Sequence, residues 1–436
     1  MIRALGNPTY RRLFLAQVVA LAGTGLATVA LGLLAYDLAG SRAGAVLGTA
    51  FAIKMVAYVF VAPLAQALVS RLPRRAVMVG AGVLRLGVAF TLPFVGEIWQ
   101  VYVLIFVLQA ASATFTPTFQ SVIPDVLPDE RDFTSALSLS RLAYDLESVL
   151  SPVIAGALLL FIPASALFFG TAVGFAGSAV LVAATLVPRR FAAPEAAPMA
   201  FGTRVQHGIR LFISTRQLRP VLALNLVVAA AGAFVIVQTV VIVRSTFEQG
   251  DVLVPVLLAV NGAGSMVAAL LLTRVLERAT ERRVMLTGAW LLTAAMMLVP
   301  IALSTGPATG GLVLVAALWF AAGLGWSAAE TPVGRLIRRH VRPDELPAAF
   351  AAQFSLSHAC WLLTYPLAGW LGVVGLVPTS ITLAVIAAGA TVTAMVLWPT
   401  GTGGVLRPGP AADIAHDSAP VAATTLVTAP APTAVP

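Results

Sequence analysis

The sequence predicts an all-α membrane protein: twelve transmembrane helices arranged as two pseudo-symmetric six-helix bundles. Three observations carry that expectation. The chain is 59% hydrophobic and only 10% charged over 436 residues, whereas a soluble domain carries about 25% charged residues. Its apolar stretches are long enough to cross the hydrocarbon core, which takes about 20 residues each. They fall as six, a break and six, and short motifs recur at matching places in the two halves. A soluble fold of this size leaves too much surface in water to hide so much apolar side chain.

The apolar runs lie at 13–37, 44–69, 76–95, 99–123, 134–160 and 164–187, then at 221–243, 252–272, 284–305, 309–333, 348–373 and 377–398. The expected organisation is an N-terminal bundle (1–187), a linker (188–220), a C-terminal bundle (221–399) and a tail (400–436). The first run follows Arg11 and Arg12 and continues past signal-peptide length, so it reads as a permanent helix. Within the linker, Phe201, Val205, Ile209, Phe212 and Ile213 share one stripe, with Arg204, His207, Arg210 and Arg216 off it. That pattern fits an amphipathic helix on the membrane surface joining the bundles. The tail is rich in Ala, Pro and Thr without periodicity and reads as disordered.

Basic residues orient the spans. With a cytoplasmic N-terminus, 22 arginines fall in inner segments, among them Arg71, Arg74, Arg75, Arg131, Arg274, Arg278, Arg335 and Arg339. Only Arg42 and Arg244 fall in outer loops. This bias predicts a multi-pass protein of the bacterial inner membrane with both termini cytoplasmic. The net charge of +9 therefore reflects topology and excludes a nucleic-acid face. A lone cysteine, Cys360, excludes a disulfide framework. His207, His340 and His358 have no metal-ligand spacing, and the Gly-rich stretches lack the Lys-Ser/Thr of a phosphate loop. No nucleophile–base pair stands out. A non-enzymatic, monomeric protein without metal or cofactor is expected.

The halves echo each other. Pro117 and Pro128-Asp129-Glu130 are 11 residues apart (128 − 117), as are Pro332 and Pro343-Asp344-Glu345 (343 − 332). Each stretch is expected to end a span and cross an inner loop. Arg71-Leu-Pro-Arg74-Arg75 after span 2 is matched by Arg278-Ala-Thr-Glu-Arg282-Arg283 after span 8. Ser151-Pro152 in span 5 lies near the place of Tyr365-Pro366 in span 11. Parallel repeats of this kind are one known transporter plan.

The six-plus-six layout and the basic loop after span 2 resemble the major facilitator superfamily over roughly residues 8–398. That family's loop motif is Gly-x-x-x-Asp-Arg-x-Gly-Arg-Arg. Here the stretch reads Gln66-Ala-Leu-Val-Ser70-Arg71-Leu-Pro73-Arg74-Arg75. Arg71, Arg74 and Arg75 match, while Gln66, Ser70 and Pro73 depart. Ser148-Val-Leu-Ser151-Pro152-Val-Ile-Ala-Gly156 is similar to the Gly-x-x-x-Gly-Pro-x-x-x-Gly signature of proton-driven exporters, matching at Ser151, Pro152 and Gly156. The resemblance points to the drug and siderophore exporter branch (enterobactin-exporter-like). It implies alternating access, a small-molecule substrate near the midplane, protons as the coupling ion, and Arg71, Arg74 and Arg75 at the cytoplasmic gate. An acid is missing at Ser70, where the family's gate latch has one.

Charges inside the membrane mark function or a paired network, because each costs about 2.5–3.5 kcal/mol at a helix centre. Span 5 carries Arg141, Asp145 and Glu147; span 2 carries Lys54; span 3, Arg85; span 10, Glu330 beside Trp326 and Ser327. Arg141 and Asp145 are four apart and share a helix face. Glu147 lies roughly 200° from Asp145, at about 100° per residue. A carboxylate that alternates between apolar and cation-flanked surroundings can exchange a proton near neutral pH. Asp145 and Glu147 are the first coupling candidates and Glu330 the next. The competing reading is a structural network in which Arg141 bridges Asp145 while Lys54 or Arg85 holds Glu147.

In the resembling family, spans 1, 4, 7 and 10 line the cavity. Here they carry Gln17, Thr24, Thr28, Gln109, Ser112, Thr114, Thr116, Asn225, Gln238, Trp326 and Ser327, with Phe115, Phe119 and Trp319 adding aromatic surface. A mostly apolar lining with scattered polar groups suits an amphipathic solute in efflux. It suits a sugar or phosphate poorly. The alternatives are import of a polar solute and a non-transporting receptor or scaffold. Single polar residues in spans also serve as interhelical glue.

Overall fold

Twelve long helices are present in the computed structural model, which describes residues 2–61, 72–186, 209–305, 309–342 and 345–398. They are numbered α1 Pro8–Ala39, α2 Ala43–Val56, α3 Arg74–Thr91, α4 Ile98–Val126, α5 Glu130–Leu158 and α6 Leu167–Ala183. The second six are α7 Arg219–Val241, α8 Leu253–Arg278, α9 Glu281–Ser304, α10 Thr309–Glu330, α11 Leu346–Val374 and α12 Leu376–Leu397. There is no strand among the described residues.

Nine segments among the described residues are long and apolar enough to cross a membrane. The first of them, Pro8–Val61, is two helices, because the chain turns at Gly40, where φ is +54°. Helices α5 and α11 complete the set. Each has 29 residues, ample for about 30 Å of hydrocarbon; α5 carries Arg141, Asp145 and Glu147 within it.

Local sequence sets the helix starts. Asn7 caps α1 by accepting from Thr9 N (2.9 Å) and Tyr10 N (3.1 Å), with Pro8 in the first turn. Its amide also donates to the Val126 carbonyl at 3.1 Å, tying the start of α1 to the end of α4. Glu97 and Gln100 form a capping box on α4, and Thr280 caps α9.

Packing repeats with a step of six. Helix α1 lies on α5 and α6 as α7 lies on α11 and α12; α3 lies on α4 and α6 as α9 lies on α10 and α12. The two bundles meet through α2 against α11 and α5 against α8. These contacts are close because glycines remove the side chain at the crossing. A Cβ on Gly48 would strike the Tyr365 carbonyl and sit 3.0 Å from Gly369 Cα; one on Gly262 would sit 3.1 Å from the Ser148 carbonyl oxygen. Trp370 Nε1 donates to Thr49 Oγ1 across the same crossing at 3.2 Å. Where α1, α2, α7 and α8 converge, the residual void is about 10 Å³, lined by apolar side chains and Thr28. That is no more than one water needs. The bundles are thus closed against each other at the end opposite to the chain termini.

The 11-residue stretches fold differently from expectation. Helix α4 runs through position 117 to Val126, so only residues 127–129 connect it to α5. In the second half, a short helix, Val333–His340, fills the stretch. It buries Val333, Leu336 and Ile337 and presents Arg335 and Arg339 to Glu281 at the start of α9, at 3.2 and 2.9 Å. Of the expected linker helix, 201–208 lie outside the described residues; the chain is helical over 209–214, with Phe212 fully buried. The tail from residue 400 also lies outside them.

Candidate functional site

Two helical stripes face each other between the bundles. On α2, Phe51, Lys54 and Tyr58 recur at three and four residues; on α11, Phe354, His358, Trp361 and Tyr365 do the same. This spacing puts each set on one helix face. The stripes meet in pairs. The Phe51 and Tyr365 rings are 5.1 Å apart, and Tyr58 stands edge-on to His358 at 6.0 Å. From Tyr365 the aromatic surface continues to Trp361 (4.9 Å) and on to Trp326 of α10 (5.2 Å). Trp326 is fixed by its indole N–H, which donates to Glu330 Oε2 at 2.5 Å. His358 Nδ1 lies 2.7 Å from the Phe354 carbonyl oxygen, so that nitrogen carries a proton and donates.

The polar groups come from the other side. Glu147, midway along α5, lies against α1 at Gly25, where an added Cβ would sit 2.8 Å from its Oε1. Lys54 is the cation that acts on it. Among the described residues neither closes an ion pair within 4 Å. One residue before Asp145, Tyr144 keeps 38% exposure in mid-helix, its hydroxyl within hydrogen-bonding reach of Gln17 and Thr116. Gln17 also accepts from Ser140 Oγ at 3.0 Å. Three helices of the N-terminal bundle thus converge on α5 through Gln17, Lys54 and Thr116.

Arg85 is different. It is only 4% exposed, and its guanidinium lies over Phe115 at 4.2 Å and Phe175 at 4.8 Å. Its Nε donates weakly to the Ala81 carbonyl at 3.4 Å, and its Nη2 has no hydrogen-bond partner among the described residues. The phenols of Tyr58 and Tyr144 face its charge.

The remaining expected residues fall in several places. Thr24 and Ser112 turn back onto their own helices, donating to the Ala20 and Leu108 carbonyls. Asn225 forms a reciprocal amide pair with Gln353 of α11 at 3.2 and 2.9 Å. Gln238 is 1% exposed and donates to the Ala368 carbonyl at 2.7 Å, at the closed end. Gln109 is buried in α4. Ser151 packs on Gly25 of α1, and Gly156 on Pro255 of α8 at 3.5 Å for an added Cβ. Pro152 lies inside α5. The side chains of Arg141 and Asp145, and residue Arg71, lie outside the described residues.

The two described motif arginines bind the ends of neighbouring helices in the same bundle. Arg74 pairs with Asp125 at the end of α4 at 2.6 Å and donates to the Ser121 carbonyl at 3.1 Å. Arg75 donates to the Ala183 carbonyl at the end of α6. Sequence reasoning missed Asp125, which lies in the run after Pro117. It also missed Tyr58, Tyr144 and Gly25. The 3–4 spacing of aromatics on α2 and α11 was the available signal. Gly25 carried none, because a close approach shows only in three dimensions. At the opposite end, Tyr36 and Ser245 hydroxyls meet at 2.9 Å across the bundles. Arg244 stacks on Tyr36 at 5.1 Å and pairs with Asp251 at 2.5 Å.

Comparison with known proteins follows this geometry. The family model described as Major Facilitator Superfamily matches residues 13–252. The uncharacterized MFS-type transporter YfiS of Bacillus subtilis (strain 168) is 24% identical over 324 residues, covering 71% of this chain and 75% of that protein. A point mutant of the nucleoside transporter NupG superposes with a TM-score of 0.70 at 14% identity, over 90% of this chain and 100% of that one. A bacterial homologue of the human lysosomal transporter Spinster, inward-facing and unoccupied, gives 0.68 at 12% identity, over 89% and 96%. A POT family transporter in complex with 5-aminolevulinic acid gives 0.67 at 11%, over 89% and 96%.

Proposed function

This chain belongs to the major facilitator superfamily, and on that premise we propose that it exports amphipathic small molecules in exchange for protons. Membrane transport itself, without enzymatic chemistry, follows from the family. The finer reading is that the chain acts as a monomer in the inner membrane, its two bundles forming the two rocking units and both termini cytoplasmic. The state described here is then closed to the outside.

The observation that carries the coupling is Glu147. It stands mid-helix in α5, pressed on Gly25, facing Lys54 without an ion pair among the described residues. A carboxylate so placed has apolar helix on one side and a cation on the other. Small relative movements of α1, α2 and α5 change which neighbour dominates, and with it the carboxylate's hold on a proton. Efflux of amphipathic solutes is supported by the lining. One wall is aromatic, from Trp326 to Phe51, and the opposite wall carries Gln17, Lys54, Tyr144 and Glu147. Sugars and phosphates would need a denser set of donors.

The test is Glu147→Gln in proteoliposomes with an imposed pH gradient, read by accumulation of a fluorescent amphipathic dye. Gradient-driven movement is expected to vanish while gradient-free exchange persists. Unchanged gradient-driven transport in a well-folded variant would refute the assignment.

A further inference from the structure

We infer that Arg85 is a carboxylate-binding subsite, so that the transported molecule is an aromatic organic acid. This rests on the cavity reading above and names the substrate class it takes.

A guanidinium has two flat faces and an edge of N–H donors. The Arg85 guanidinium lies over the rings of Phe115 and Phe175, which offer it no hydrogen-bond acceptor oxygen. What remains is the edge, the part that matches a planar oxyanion in a two-point hydrogen bond. Among the described residues that edge makes the weak Nε contact to Ala81, and Nη2 is buried without a partner. An orphaned buried donor is costly, and a charged one more so. Such a group persists where a ligand completes it.

The surroundings say which ligand. Tyr58 and Tyr144 face the charge and form the approach to it. Tyr144 is partly open, and Tyr58 lies in a π-helical turn, Ala57–Val61, at the end of α2. Widened turns of this kind are frequent at functional sites, where the helix needs room to adjust. On its other side Tyr58 meets His358, and beyond it runs the ladder of Trp361 and Trp326. Gly232 of α7 lets both indoles pack close to that helix, because a Cβ there would strike Trp361 and sit 2.9 Å from Trp326. A solute that stacks its ring on the indoles and turns an oxyanion past Tyr58 satisfies both walls. Base–aromatic stacking alone accepts any planar ring; Arg85 adds selection by charge. A cationic ring would bring its charge toward an uncompensated guanidinium and is disfavoured.

The experiment uses the full chain in lipid nanodiscs with no gradient, titrated with naphthoate, naphthamide and naphthylmethylammonium and read by tryptophan quenching. Naphthoate is expected to bind about tenfold or more tighter than the amide, as one charge-assisted hydrogen bond allows. Arg85→Gln brings the two within about twofold while naphthamide binding stays, and Arg85→Lys restores part of the preference. Equal binding of the three probes, tighter binding of the ammonium, or a preference that survives Arg85→Gln overturns the subsite. If Arg85→Gln does not fold, the order of the three probes on the native chain decides. Binding without a gradient is blind to proton coupling, so failure here is separable from failure of the Glu147 reading.

Discussion

Replacing Gly25 by alanine adds one methyl group where α1 crosses α5. The Cβ would overlap the Cβ and Oγ of Ser151 and lie 2.8 Å from Glu147 Oε1. Ordinary non-bonded contact needs about 3.5–4.0 Å, so α1 and α5 must separate by on the order of 1 Å. Two terms compete. Alanine favours the helix over glycine by about 1 kcal/mol, and overpacking costs about 1–3 kcal/mol. Ser151 Cβ is fixed to the backbone and cannot rotate away, which places the cost near the top of that range. The net expectation is a destabilisation of about 1–2 kcal/mol and a fall in apparent melting temperature on the order of 2–4 °C. Because Glu147 sits on the same contact, gradient-driven transport should fall further than stability does. The assay pairs a thermal melt in nanodiscs with dye accumulation, for Gly25→Ala, Ser151→Gly and the double variant. Ser151→Gly removes the overlapping atoms, so the double variant should recover about 1 kcal/mol of the loss as coupling between the two sites. A Gly25→Ala protein that melts and transports like the native one, or strictly additive effects in the cycle, would show that the crossing does not position Glu147.

Further outcomes follow from the two ends of the molecule. Asp125→Asn leaves Arg74 without its carboxylate at a partly buried contact, with side-chain exposures of 23% and 15%; a loss of about 1–3 kcal/mol is expected, read as a lower melting point, and Arg74→Gln in the same background should add little. The Arg244–Asp251 pair is more exposed, at 30% and 36%, so its removal costs little stability, about 0.2–1 kcal/mol. Its effect should appear as a shift of conformational population of at most about fivefold. In a Cys360→Ala background, Ser245→Cys should react faster with an impermeant maleimide when Arg244→Gln is present, and equal rates would argue against a latch there.

Hydropathy placed the spans well because the hydrocarbon demands one property of each. The expected run at 99–123 is α4 at Ile98–Val126, and 377–398 is α12 at Leu376–Leu397. It failed where a helix leaves the hydrocarbon. Helix α8 continues past residue 272 to Arg278 because Arg274, Glu277 and Arg278 are good helix formers in a polar setting. The short helix after Pro332 was read as loop for the opposite reason: its apolar face is only Val333, Leu336 and Ile337. In the site, the charges of spans 2, 3 and 5 were legible because charge in a membrane is rare. Their neighbours were not. That Arg85 would meet two phenylalanines, or Glu147 a glycine, depends on helix rotation and crossing, which residue type alone does not fix. Arg74 pairs with Asp125 of another helix, a partner that a linear motif cannot register.

The closed end has a bioenergetic consequence. It is sealed by backbone against backbone at Gly48 and Gly369, with a void about 10 Å³ in volume where the four helices converge. The void described there holds about one molecule of water, too little for a chain of waters at that point. A membrane holding a gradient loses about 2.3 kcal/mol per elementary charge per 100 mV to any leak. At the Gly48–Gly369 crossing itself, peptide groups meet without side chains between them. It opens only when whole helices part, which, on the proposed exchange for protons, confines their flow to completed turnovers.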